Sequence, residues 1–313
     1  MLELLNMFIV SLALLAISSR AAIKYSIRFS KLTGLSQLAV GFVLLAVATS
    51  VPELSIAAIS TFEGQPLLSV GNVLGANISN LLLVFGVMAL LVSFRVSRIN
   101  YRQLLRAVSM TSLIVMALLI FGGANWMFGI ALIIIFFAFC WTITRESTMI
   151  DKNRIQNSEP KHAAIVKTAL IILVALTGVV IAARVVTDSA IALAGQLGIA
   201  ESLIGATILA IGTTLPELSV NIAAVRKGAI GLAIGDSVGS IVTNTTLVLG
   251  VASLGGLALG PVSRAAGLAF IAVAFGFLLL SSRATFNRRL GVILIALYIA
   301  FILGLVALEA FFI

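Results

Sequence analysis

Ten apolar runs, each close to the length that crosses a bilayer, fill most of this chain. They lie at about residues 3–19, 35–60, 66–93, 104–121, 125–143, 164–183, 200–224, 229–255, 262–281 and 290–310. A hydrocarbon core of roughly 30 Å is crossed by about 20 apolar residues in a helix. Runs of that length, repeated this often, point to an all-α membrane protein with ten transmembrane helices. An outer-membrane barrel alternates apolar and polar residues along each strand, and these runs do not alternate. Composition agrees, with 61% hydrophobic and 10% charged residues, where a soluble domain carries about 25% charged. Glu3 stands where a signal peptide carries Lys or Arg, so the first run reads as a retained span.

The formal net charge of +9 raises the question of nucleic acid. Placement answers it: the basic residues sit in short clusters between apolar runs, with no basic face or binding motif. Arg20, Lys24, Arg28 and Lys31 form the first cluster, and Arg95, Arg98, Arg102 and Arg106 the second. Arg145, Lys152, Arg154, Lys161 and Lys167 follow, then Arg226 and Lys227, then Arg283, Arg288 and Arg289. Eighteen of the twenty Lys and Arg thus fall in alternate linkers, leaving Arg184 and Arg264 on the other side. The positive-inside rule makes the basic side cytoplasmic, which puts both termini outside in a multi-pass protein of the cell membrane. Cys140 is the single cysteine, so neither a disulfide nor a cysteine metal site can form within the chain. His162 is the single histidine, and at a linker end it reads as a surface residue, because proton relays lie inside the membrane. The chain is expected to be no enzyme, to need no cofactor and to have no obligate protein partner beyond the lipid bilayer.

Thr144 to His162 is the longest polar stretch, read as a cytoplasmic hinge strand. It divides the chain into a first half of five spans, residues 1–143, a linker, 144–163, and a second half of five spans, 164–313. The halves share chemistry. Ala46-Val47-Ala48-Thr49-Ser50-Val51-Pro52-Glu53 returns 164 residues later as Ala210-Ile211-Gly212-Thr213-Thr214-Leu215-Pro216-Glu217. Gly71-Asn72-Val73-Leu74-Gly75-Ala76-Asn77-Ile78-Ser79-Asn80 returns at the same offset as Gly235-Asp236-Ser237-Val238-Gly239-Ser240-Ile241-Val242-Thr243-Asn244. Five is odd, so the second half enters the membrane from the opposite side. The expected architecture is two inverted-topology five-helix repeats, as in secondary transporters with sites at mid-membrane between broken helices.

A carboxylate at bilayer mid-depth costs about 2.5–3.5 kcal/mol on insertion scales, and an intramembrane acid is a functional candidate by default. Pro52 has no N–H, so the Ala48 carbonyl loses its helical partner and the helix kinks. Neighbouring carbonyls, that of Ala46 among them, can then turn inward, and Pro216 does the same near Gly212 and Ala210. Thr49 and Glu53 are four apart, as are Thr213 and Glu217, so each pair shares a helix face but for the kink. Asn80 and Asn244 offer amide oxygens, and Ser50 and Ser240 add hydroxyls. An all-oxygen ligand set suits a hard cation: calcium takes about 6–8 oxygens in irregular geometry, whereas magnesium demands a tight octahedron. Sodium also accepts hydroxyl and carbonyl oxygens. Gly71, Gly75, Gly235 and Gly239 read as close helix packing.

The paired segments resemble the alpha repeats of the sodium/calcium exchanger family, within the calcium/cation antiporter superfamily. The resemblance implies a central site where calcium and sodium occupy overlapping positions and exchange by alternating access. Residue by residue, it implicates Ala46 (carbonyl), Thr49, Ser50, Glu53 and Asn80, then Ala210 (carbonyl), Thr213, Thr214, Glu217 and Ser240. Three positions depart from the family pattern. Ala76 replaces a serine ligand whose counterpart Ser240 is kept. Asn244 stands where some exchangers have an aspartate. Asp236 stands where the motif has asparagine, as at Asn72. Asp236 adds a carboxylate that can tune the field, carry a proton, or bond a neighbouring helix. The transported ions implied are calcium and sodium. A proton/calcium antiporter of the same fold is the alternative that Ala76 and Asp236 favour. A passive cation channel, or a scaffold or sensor with a vestigial site, are readings of other classes.

Overall fold

The structure, a computed structural model, describes residues 2–64, 66–150, 162–196 and 210–312. Its helices are α1 (Leu2–Thr33), α2 (Gln37–Thr49), α3 (Val51–Phe62), α4 (Leu67–Leu91), α5 (Arg98–Phe121), α6 (Trp126–Ile150), α7 (His162–Gln196), α8 (Ala210–Thr213), α9 (Leu215–Arg226), α10 (Ile230–Leu254), α11 (Pro261–Leu280) and α12 (Arg288–Phe312). Seven described helices are long and apolar enough to cross a membrane, or eight if α2 and α3, bent by 46°, count as one broken span. The all-helical membrane class therefore holds. The expected seventh span, 200–224, lies partly outside the described residues, as does most of the 144–163 linker; α6 runs on to Ile150 and α7 begins at His162, which is exposed.

Two helices outrun the apolar segments that announced them. The first span was expected to end near 19, yet α1 continues through Arg20, Lys24, Arg28 and Lys31 to Thr33, where Gly34 takes φ 71°. The sixth was expected to end near 183, yet α7 continues to Gln196. Hydropathy marks where a helix leaves hydrocarbon; its backbone hydrogen bonds go on until a residue such as a left-handed glycine stops them.

The molecule is polar within and apolar without. α4 and α10 form the centre, with 78% and 83% of their apolar windows buried, against 17% for α1 and 22% for α6 and α11. Glu53, Glu217, Asp236, Asn77, Asn80, Asn221 and Asn244 are buried, whereas Leu113, Ile120 and Val174 on outer helices are 70% or more exposed. An outer belt of large apolar side chains is what lipid contact requires.

Glycines let the two halves interlock. A Cβ on Gly235 would lie 2.3 Å from the Leu38 carbonyl oxygen and 3.0 Å from the Cα of Gly41; a Cβ on Gly239 would lie 2.5 Å from the Ala46 Cβ. The backbone of α10 therefore rests directly on that of α2, as expected of Gly235 and Gly239, whereas Gly71 and Gly75, read the same way, have no described atom within 4 Å of an added Cβ. Gly86 of α4 meets Gly291 of α12, and Gly250 of α10 meets Gly129 of α6. Gly86 and Gly250 are themselves 164 residues apart. Two short antiparallel ladders cross between halves at the helix ends: β1 (Phe94–Arg95) with β4 (Thr285–Phe286), and β2 (Gly123–Ala124) with β3 (Leu257–Ala258). The first is backed by Phe94 stacked on Phe286 at 5.0 Å and Phe286 on Phe85 at 5.3 Å.

Candidate functional site

Both motifs break their helices at the same place. Ser50, between α2 and α3, has φ −83° and ψ 7°; Thr214, between α8 and α9, has φ −93° and ψ 0°. Pro52 and Pro216 each follow within the first turn of the next helix, where proline is well tolerated. Each glutamate is thus delivered into the first turn of a new helix, beside the break.

The long central helices carry a matching irregularity. α4 widens to π-helix over Asn80–Val84 and α10 over Asn244–Val248, so each wide turn opens on the asparagine expected as a ligand. α2 has a third such segment at Gly41–Ala46. Wide turns shift the hydrogen-bond register by one residue and recur at functional sites. α3 packs against the Asn244–Val248 turn, and α9 against the Asn80–Val84 turn, so each glutamate helix faces the asparagine of the other half.

Glu53 and Glu217 are each 1% exposed, and neither faces lipid. Glu217 lies within direct electrostatic reach of Glu53 and of Asp236, with the Thr49 hydroxyl beside it. The two acids from opposite halves are therefore close enough to repel one another in the interior.

The same motifs and wide turns carry buried oxygens without partners among the described residues. Both carboxylate oxygens of Glu53 and of Glu217, the Ser50 and Ser240 hydroxyls, and Oδ1 of Asn80 and Asn244 have no hydrogen-bond partner among the described residues. Each orphaned buried group costs about 1–3 kcal/mol, and more for a charge. Eight unsatisfied oxygens on six residues, all of them expected from the sequence, make a donor set suited to a hard cation and poorly suited to anything else. Among the described residues no three His, Cys, Asp or Glu side chains converge as a metal cluster. The donor set is two carboxylates completed by hydroxyl and amide oxygens.

The other expected residues are placed differently. The Ala46 carbonyl accepts from the Ser50 N–H at 3.0 Å and from the Thr49 hydroxyl at 3.3 Å, so the kink does not free it. Thr49 also reaches Asp236 Oδ1 at 3.5 Å. Thr214 is buried and Thr213 half-buried at the second break; Ala210 opens α8. Asp236, fully buried, accepts at Oδ2 from Asn221 Nδ2 at 2.5 Å. Ala76 is buried on α4 and brings no oxygen.

Two asparagines escaped the sequence reading as site residues. Asn77 donates to the Thr245 hydroxyl at 2.7 Å and accepts from Asn244 Nδ2 at 3.2 Å, which leaves Asn244 Oδ1 as the amide's open end. Asn221 binds Asp236 and the Glu217 carbonyl. The available signal was asymmetry: at the same offset their counterparts are the apolar Ile241 and Ala57.

Comparison with known proteins follows the same lines. The profile of the family described as sodium/calcium exchanger protein matches residues 4–145 and 167–307. An uncharacterized membrane protein of Methanocaldococcus jannaschii, MJ0091, is 28% identical over 299 residues, covering 95% of this chain and 96% of that protein. The sodium/calcium exchanger MaX1 of Methanosarcina acetivorans is 28% identical over 90% of this chain and 93% of its own. A solved structure of the sodium-calcium exchanger NCX_Mj superposes with a TM-score of 0.81 at 27% identity, covering 96% of this chain and 98% of that one. With the profile spanning both halves and the glutamates buried opposite one another, the chain belongs to the sodium/calcium exchanger family.

Proposed function

We propose that the protein is a secondary antiporter that exchanges calcium for sodium across the membrane by alternating access. The observation that carries this is the pair of buried glutamates, contributed by matching helix breaks 164 residues apart, with further unpartnered oxygens on the same motifs and on the wide turns that pack against them. Calcium would take both carboxylates, with Ser50, Asn80, Ser240 and Asn244 completing its oxygen shell; Thr49, Thr213, Thr214 and the Ala210 carbonyl would supply the flanking sodium positions, the Ala46 carbonyl being already bonded. Two ionised glutamates carry −2, which one calcium ion neutralises. Sodium ions using the same carboxylates exclude it. The empty carrier would hold uncompensated buried charge, which penalises its crossing, and that penalty couples the two fluxes.

Ten spans arranged as two inverted five-helix repeats, residues 1–143 and 164–313 about a cytoplasmic linker, fit this reading. The equal spacing of the helix breaks and π-helical turns, the reciprocal glycine contacts and the two crossed ladders support it. Both termini are then extracellular. α1 and α7 carry none of the motif residues and pack along one another through small groups, Gly178 against Ser18. α1 also touches α9 through Ser19 and Ser219 at 2.9 Å. This pair is the element that slides across the site; cross-linking α1 to α9 should arrest exchange, and undiminished exchange would remove it from the mechanism.

The test of the exchange is calcium uptake into liposomes holding the purified protein, driven by an outward sodium gradient. Uptake that requires the sodium gradient supports the reading. Uptake driven by a pH gradient at fixed sodium selects the proton/calcium alternative, which Ala76 and Asp236 favour, and uptake without any counter-ion selects a channel.

A further inference from the structure

The two halves of the site are not equivalent, and the difference is concentrated in one pair of side chains. At the repeat offset, Asp236 corresponds to Asn72 and Asn221 to Ala57. The second half therefore has both an additional acid and the amide that holds it, while the first half has neither. All four residues of that comparison lie on the helices that form the site, and Asp236 and Asn221 are fully buried.

The geometry sets Asp236 apart from the glutamate pair. Its Oδ2 is bound by Asn221 Nδ2 at 2.5 Å. Among the described residues its Oδ1 meets only the Thr49 hydroxyl, at 3.5 Å, the outer limit of a hydrogen bond. The amide of Asn221 donates through Nδ2 to Asp236 and to the Glu217 carbonyl, which leaves Oδ1 buried and without a partner among the described residues. A weakly bonded carboxylate oxygen, an amide oxygen without a partner among the described residues and a hydroxyl thus belong to one buried cluster, with the Asp236 carboxylate within electrostatic reach of Glu217. Every partner of this buried acid among the described residues is a neutral donor, so none of them offsets its charge.

We propose that Asp236, Asn221 and Thr49 form a monovalent-cation position of their own, beside the point shared by Glu53 and Glu217. This deepens the exchanger reading and rests on it. One carboxylate with an amide and a hydroxyl offers a single negative charge and few oxygens, which suits sodium and falls short of the six to eight oxygens calcium takes.

The experiment uses the full chain purified in detergent, with Asp236→Asn, which restores the residue of the first repeat at near-constant shape, and Asn221→Ala, which copies Ala57. Two readouts are taken: the shift of melting temperature with sodium chloride against choline chloride, and the sodium concentration that displaces half of bound radioactive calcium. Both variants should need about tenfold more sodium in each readout, with calcium affinity changed by less than about threefold. Unchanged sodium curves would overturn the proposal, as would calcium weakened as much as sodium, since Asp236 would then belong to the glutamate centre or be a helix tie. Where one variant fails to fold, the other decides. Failure of the exchanger reading shows separately, as wild-type protein that binds no calcium or as Glu53→Gln protein that still binds it; the melting shift with sodium still reads the Asp236 position.

Discussion

Glu53→Gln is the substitution whose effect follows most directly from the site. It keeps the shape of the side chain and removes one of two carboxylates facing a divalent ion. At an effective dielectric near 20 and about 4 Å, two unit charges interact by about 4 kcal/mol. A calcium ion carries two charges, so about 8 kcal/mol of attraction is lost on that scale. Against it stands the several kcal/mol that each ion spends in leaving water. A net loss of about 3–4 kcal/mol corresponds to calcium affinity weaker by about 150- to 1000-fold. The variant is assayed by equilibrium calcium binding in detergent and by sodium-driven uptake in liposomes. Because Glu53 has no hydrogen-bond partner among the described residues, the ion-free protein should melt no lower than wild type. A variant that transports within about threefold of wild type would refute the reasoning, since about 0.6 kcal/mol is far below the loss of a direct carboxylate contact. So would a lowered melting temperature with transport lost in proportion, because Glu53 would then be holding the fold and not the ion.

Other outcomes follow from the same structure. Gly41→Ala places a methyl group 2.4 Å from the Leu232 carbonyl oxygen. Prising α2 from α10 should cost about 1–3 kcal/mol, read as a lower melting temperature together with slower exchange. Pro52→Ala returns an N–H to the Ala48 carbonyl; it should raise thermal stability while exchange falls by about tenfold or more, because a straighter helix withdraws Glu53 from Glu217. Ala76→Ser adds a hydroxyl oxygen opposite Ser240 and should lower the sodium concentration for half-displacement of calcium by about two- to tenfold, the range of one hydrogen bond's net worth. Phe286→Ala empties the stack between Phe94 and Phe85, and should cost about 3–5 kcal/mol in stability with calcium affinity in the surviving folded protein unchanged.

The membrane class, the repeat and six of the residues with orphaned oxygens could be read from the sequence because each leaves a one-dimensional trace. Apolar length reports hydrocarbon thickness, and a proline beside a glutamate inside such a length has few structural uses. The ends of α1 and α7 left no such trace, since helices continue past the membrane surface on residues that are indifferent to it. The π-helical turns at Asn80 and Asn244 were hidden for another reason: a one-residue change of hydrogen-bond register alters no composition and little periodicity. Asn221 was hidden because one amide on a helix means little until the acid it binds, fifteen residues away, is known to face it. Asp236 was visible as an anomaly, but its two candidate uses separate only once its partners are seen.

Crystals of the protein soaked with strontium, a heavier relative of calcium, would locate the ion by its anomalous scattering. A single strong peak about 2.3–2.6 Å from carboxylate oxygens of both Glu53 and Glu217 is the predicted result. A peak bound to one glutamate alone, or to neither, would contradict the shared site on which calcium–sodium exchange is argued here.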